Sequence, residues 1–128
     1  MNLIEPSLLI ASNEPKKLAQ FYSHVSESDI TQGLNKNHYS VFLSNRSHIE
    51  IFRPSVQRPY SKSISSGFSL CFKEQPSERP LQVIHLWIDK IIEFGGQIIE
   101  GPIEECFGVE AWLLDPENNK FLILVPRT

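Results

Sequence analysis

The chain has 128 residues, the size of one domain and enough to bury a core without a disulfide or a structural metal. A net charge of -3 and a charged content of 21% give no basic footprint for nucleic acid or an anionic membrane. A hydrophobic content of 41% with 2 cysteines is that of an ordinary soluble globular protein, not of a disulfide framework.

The first six residues, Met1 to Pro6, carry no basic segment and no long apolar run, so no signal peptide is expected. No window reaches the apolar length of a membrane span, so a cytoplasmic location is the expectation. Ser7 to Ser12 is short and apolar and predicts a strand. Pro15 suits a first helical position, and Asn13 or Glu14 can accept hydrogen bonds from the free N–H groups of the first turn. Leu18, Phe21, Tyr22 and Val25 then share one helical face. Ser26 to Asn37 reads as a polar loop with room for a weak strand. Tyr39 to Leu43 and His48 to Phe52 are two strands, with turn chemistry in Ser44-Asn45-Arg46-Ser47. Pro54 to Ser66 has two prolines, many serines and almost no aliphatic residue, and reads as a linker.

The pattern then restarts. Phe68, Leu70 and Phe72 alternate with Ser69, Cys71 and Lys73, which predicts a half-buried strand. Cys71 reads as a buried free thiol. Leu81, Ile84, Ile88 and Ile91 form a helical stripe, broadened by Val83, Trp87 and Phe94, and Gly95-Gly96 ends it. Gln97 to Ile99 is a short strand that Gly101-Pro102 breaks. Val109 to Leu114 and Phe121 to Val125 are the last two strands, joined by the turn Asp115-Pro116-Glu117-Asn118-Asn119. The element order is therefore a βαβββ unit written twice. Glu50-Ile51-Phe52-Arg53-Pro54 can be laid on Leu122-Ile123-Leu124-Val125-Pro126 as a weak internal repeat.

The segment Asn13 to Tyr22 resembles the first helix of the vicinal oxygen chelate superfamily, where an acidic residue precedes a helix ending in Phe-Tyr. Gly95-Gly96, Glu100-Gly101-Pro102, Gly108 and the Asp115 to Asn119 turn resemble its second-half signature. That superfamily includes glyoxalase I, extradiol dioxygenases and the fosfomycin- and bleomycin-resistance proteins. The resemblance implies an α+β fold of two βαβββ modules, with curled mixed sheets around a cup. It implies one domain over 1–128, with module 1 at about 1–58 and module 2 at about 63–128. It also implies a homodimer, by analogy alone.

Metalloenzymes of the superfamily place ligands on the first and last strands of each module. Those positions fall here on Ser7, Glu50, Gly67 and Leu122. Only Glu50 is a competent ligand, and one carboxylate holds a divalent ion poorly. His24, His38, His48 and His85 show no pairing at helical ligand spacing. His48 shares a strand face with Glu50, about 7 Å along the backbone. The expectation is therefore no metal site and no cofactor. Ligand-binding candidates are His48, Glu50, Phe52, Ser69, Cys71, Leu122 and Leu124, on strand faces turned from the helices. Trp112 joins them if its strand presents that face, and otherwise packs in the core. Glu110, two residues away, reads as a solvated charge.

Such a lining suits a small, partly apolar organic ligand bound without a metal. One alternative is a metal-dependent lyase or isomerase of the glyoxalase I type. A second is a metal-free proton-transfer enzyme with Glu50 as base and His48 as its partner. A third is a structural or regulatory partner that dimerises through its linker and module edges.

Overall fold

In the computed structural model, residues 7–33, 35–43, 47–57, 59 and 67–128 are described below. The chain divides into two compact units, Met1–Ser66 and Gly67–Thr128. The first unit runs β1 (Leu8–Ala11), α1 (Pro15–Ser26), β2 (Asp29–Gln32), β3 (His38–Phe42), β4 (His48–Phe52). The second runs β5 (Leu70–Lys73), α2 (Pro80–Glu93), β6 (Gln97–Glu105), β7 (Gly108–Leu114), β8 (Lys120–Pro126). Both are βαβββ units.

In the first unit α1 begins with Pro15, whose fixed φ and missing N–H cost nothing there. The expected side-chain cap is absent: Glu14 holds the N-cap position without a capping bond. Ser12 Oγ instead accepts the Glu14 N–H at 3.0 Å. Leu18, Phe21, Tyr22 and Val25 are all buried, the last at 4% exposure, and α1 packs on β2, β3 and β4. Burying each such side chain contributes about 1.5–3 kcal/mol. Part of the expected loop is β2, which pairs antiparallel with β3, Asp29 opposite Phe42. Its pattern is too polar to announce a strand, and its ladder partner supplies what periodicity does not. The 44–46 turn and most of the expected linker, 58 and 60–66, lie outside the described residues.

The second unit repeats the plan. In α2 the buried residues are Pro80, Ile84, Ile88 and Ile91, while Leu81 is 38% exposed, so the inward stripe is narrower than expected. The helix closes on Gly95, at φ 103°, where only glycine is unstrained. The Gly96 N–H reaches the Ile91 carbonyl and the Gly95 N–H that of Ile92, at 2.9 and 3.0 Å, a Schellman closure. β5 starts only at Leu70, and Phe68, expected against the helix, is 84% exposed. β6 is much longer than expected. It runs through Gly101-Pro102, a cis peptide, with register irregularities. The break is overridden because β6 is an edge strand, where a proline forfeits no ladder bond on its solvent side.

The two sheets have the same topology, β1-β4-β3-β2 and β5-β8-β7-β6. In each, the first and last strands of the unit pair in parallel and the remaining pairs are antiparallel. Both are therefore mixed. Each is also open, with two edge strands, and this corrects the expectation of curled sheets. The weak repeat has a structural counterpart. Ile51 sits opposite Ile10, and Ile123 opposite Phe72. Both isoleucines are fully buried.

Candidate functional site

Along β4, Ile49 and Ile51 are fully buried, and the alternate residues His48, Glu50 and Phe52 occupy the opposite face because side chains alternate along a strand. β3 fixes what stands beside them. Ser40 lies opposite Glu50, Phe42 opposite His48 and His38 opposite Phe52. The β1 neighbour of Glu50 is Leu9.

These positions build a polar cluster around one carboxylate. His38 Nε2 and Ser40 Oγ each lie 2.6 Å from Glu50 Oε2. His48 Nε2 lies 3.1 Å from Glu50 Oε1. An ionised carboxylate only accepts, so the hydroxyl and the ring N–H groups donate to it. The Glu50 side chain is 20% exposed and that of His38 only 7%, so the cluster is mostly withdrawn from water with every buried polar atom paired. Its flanks are apolar and open. Leu9 is 45% and Phe42 47% exposed, and the Phe42 and His48 rings lie 5.7 Å apart at 34°.

His38 was not among the candidates read from the sequence. It stands one residue before the expected strand, and its bond to Glu50 is diagonal across the β3–β4 ladder. The hairpin register would have revealed it, since Leu43 N–H closes on the Ser47 carbonyl at 2.8 Å. The Phe42 ring was missed for the same reason.

In the second unit the helix-free face joins Cys71, Leu122 and Trp112 across three strands. Leu124 stands beside Lys73 and Glu110 on that face. Trp112 is thus not a core residue. Its neighbours Ala111 and Leu113 are fully buried, while its ring carries Lys120 Nζ 4.4 Å from the centroid. Cys71 is exposed rather than buried. Partial desolvation pushes its thiol above the ordinary range, the Glu110 carboxylate adds to this, and Lys73 opposes it. Ser69 lies outside β5 and is exposed.

In the family that the sequence resembles, metal ligands stand where this chain has Ser7, Glu50, Gly67 and Leu122. The Glu50 oxygens are engaged by three protein donors. Leu122 offers no donor atom, Gly67 has no side chain, and Ser7 is exposed. Among the described residues no group of three or more His, Cys, Asp or Glu side chains is placed to hold a metal ion. The residues present do not fit the superfamily's metal centre. Among them, too, no helix is long and apolar enough to cross a membrane.

The sequence matches no family model and no curated protein. Its fold does match solved structures. A glyoxalase/bleomycin resistance protein/dioxygenase family enzyme from Burkholderia phytofirmans PsJN superposes with a TM-score of 0.74 at 19% identity, over 94% of this chain and 96% of that one. A glyoxalase/bleomycin resistance protein from Albidiferax ferrireducens T118 gives 0.67 at 24% identity, over 93% and 95%. TnmS3, an antibiotic binding protein from Streptomyces sp. CB03234, gives 0.66 at 14% identity, over 98% of each chain. Identity this low carries the fold and not the activity. The paired βαβββ units, their common strand order and these likenesses together show that the chain has the glyoxalase/bleomycin-resistance fold.

Proposed function

We propose that the protein binds a small, partly apolar organic ligand on the helix-free face of its first sheet, without a metal. The observation that carries this is the Glu50 cluster, a paired carboxylate set between the exposed Leu9 and Phe42 side chains. Apolar walls with a few fixed polar groups are what a small-molecule site requires. Glu50 and His48 orient the ligand, Phe52 borders them, and burial against Phe42 and Leu9 supplies affinity. The face bearing Cys71, Trp112, Leu122 and Leu124 is proposed as a second ligand surface, with Ser69 at its margin. The same reading takes 1–128 as one domain that pairs as a homodimer, which the mass in solution tests. The fold is shared with an antibiotic binding protein, which supports a binding role and does not specify the ligand.

The test is a thermal-shift screen of small aromatic and aliphatic compounds, followed by titration of each hit. Phe42→Ala and Glu50→Gln are expected to weaken hits by about tenfold or more, the scale of one lost contact to a charged or aromatic anchor. Hits bound equally by both variants would place the site elsewhere.

A second reading has its own observation. The 3.1 Å contact of His48 Nε2 with Glu50 Oε1 is a carboxylate–imidazole pair of the kind that relays protons. Glu50 would take a proton from a ligand carbon and His48 would stabilise the charge change. Exchange of a ligand C–H proton that stops in Glu50→Gln supports this; exchange that persists there removes Glu50 as the base.

A further inference from the structure

Where β4 ends, the first unit holds an open cleft of about 410 Å³, within the size range of small-molecule sites. Phe52 touches the cleft but is only 3% exposed. The rest is polar: Asn35, Lys36, Asn37, Arg53, Ser55 and Gln57. Two of these are cations and none is acidic, although the chain as a whole carries a net charge of -3. A local reversal of sign, with no carboxylate among the described lining residues, is what recognition of an anion needs.

The lining is also held in place. Arg53 donates from its guanidinium Nη2 to the Asn13 carbonyl at 2.6 Å, one of five N–H donors in its rigid fork. The Arg53 backbone N–H reaches the Asn37 carbonyl at 3.0 Å, which ties the end of β4 to the Asn35–Asn37 loop. That loop folds on itself, with the Asn37 N–H on Asn35 Oδ1 at 2.8 Å and the His38 N–H on the Asn35 carbonyl at 3.1 Å. Since the Asn35 side-chain oxygen is taken, its NH2 group is the end left to donate. The side chains of Arg53, Lys36 and Asn35 therefore meet a ligand as donors, and a pre-positioned guanidinium matches an oxyanion geometrically.

We propose that this cleft binds the oxyanion group of a small organic molecule, a carboxylate or phosphate ester, through Arg53 and Lys36. The inference does not depend on the Glu50 reading. The two sites share Phe52 but use different polar groups, so each is tested by its own variants.

The experiment follows backbone amide shifts of the full chain during titration with phenyl phosphate. Benzyl alcohol at equal concentration is the neutral control, and ionic strength is held constant. Saturable shifts are expected at Asn35, Lys36, Asn37 and Ser55, and none there with benzyl alcohol. Lys36→Gln and Arg53→Gln should each weaken binding about tenfold, the scale of one charge-assisted hydrogen bond. Arg53→Gln also loses the bond to Asn13, so Lys36→Gln, which breaks no hydrogen bond given above, is the decisive variant. Shifts that fail to saturate, that spread over basic residues generally, or that are unchanged in Lys36→Gln would overturn the proposal. Loss of the phenyl phosphate response with Glu50→Gln and not with Lys36→Gln would assign the anion to the Glu50 face and overturn it too.

Discussion

Glu50 is held by more partners than any role as a spare surface carboxylate requires. It satisfies His38 and Ser40, each 6% exposed, and His48. Removing it takes an acceptor from both of these buried side chains, and a buried polar group that loses its partner costs about 1–3 kcal/mol. Glu50→Leu should therefore lower unfolding stability by about 2–3 kcal/mol in a denaturant titration, while Glu50→Gln, which keeps an acceptor, should cost about half that. Equal losses would mean that the acceptor kept by glutamine contributes nothing here. Cys71 makes the opposite point. Solvent reaches it, yet desolvation and the Glu110 carboxylate hold its thiol above the ordinary range. The neutral thiol is thus retained through neutral pH, and the thiolate, the reactive form, appears only in more alkaline solution. In a Cys106→Ser background, the iodoacetamide rate at Cys71 should reach half its maximum above the pH of a free cysteine, about 8.5. A half-point at or below that pH would contradict the assigned environment.

At the level of elements, the helices and the strands that close each unit were legible from the pattern alone. Leu18, Phe21, Tyr22 and Val25 share a face whatever the tertiary context, because 3.6 residues per turn places them there. β2 and β6 were not legible in the same way. β2 is polar and exists through its partner β3. β6 crosses Gly101-Pro102 only because it lies at the edge of its sheet, a property no local window contains. The β6–β7 hairpin is closed at Gly108, where an added Cβ would overlap the Val125 carbonyl oxygen and lie 2.8 Å from Pro126 Cα. Both neighbours are backbone of the paired strand β8 and cannot swing aside. Gly108→Ala should destabilise by at least about 2 kcal/mol, through strain and displaced pairing. A midpoint in denaturant within error of the parent protein would show that β7 and β8 part more easily than their register suggests.

For the whole molecule, the same βαβββ plan is used twice with different chemistry on its helix-free faces. The first unit carries Glu50 in its last strand, and the second carries Leu122 at the corresponding place. Divalent ions want three or four protein ligands, and the described residues do not assemble them. Purified protein should accordingly hold well under one equivalent of zinc, nickel, manganese or iron, and its Tm should not move when these are added. A stoichiometric ion lost on Glu50→Gln would overturn the site described above. The two helices, the strands that close each unit and the turn at Asp115 could be read from the chain alone. These are local matters of period, turn chemistry and residue type, and each can be read within a few residues. The fold was needed to bring His38 and Ser40 to Glu50 and Trp112 to the open face beside Leu122. Those are pairings across strands, set by ladder register. A shift of one residue would send each side chain to the other face.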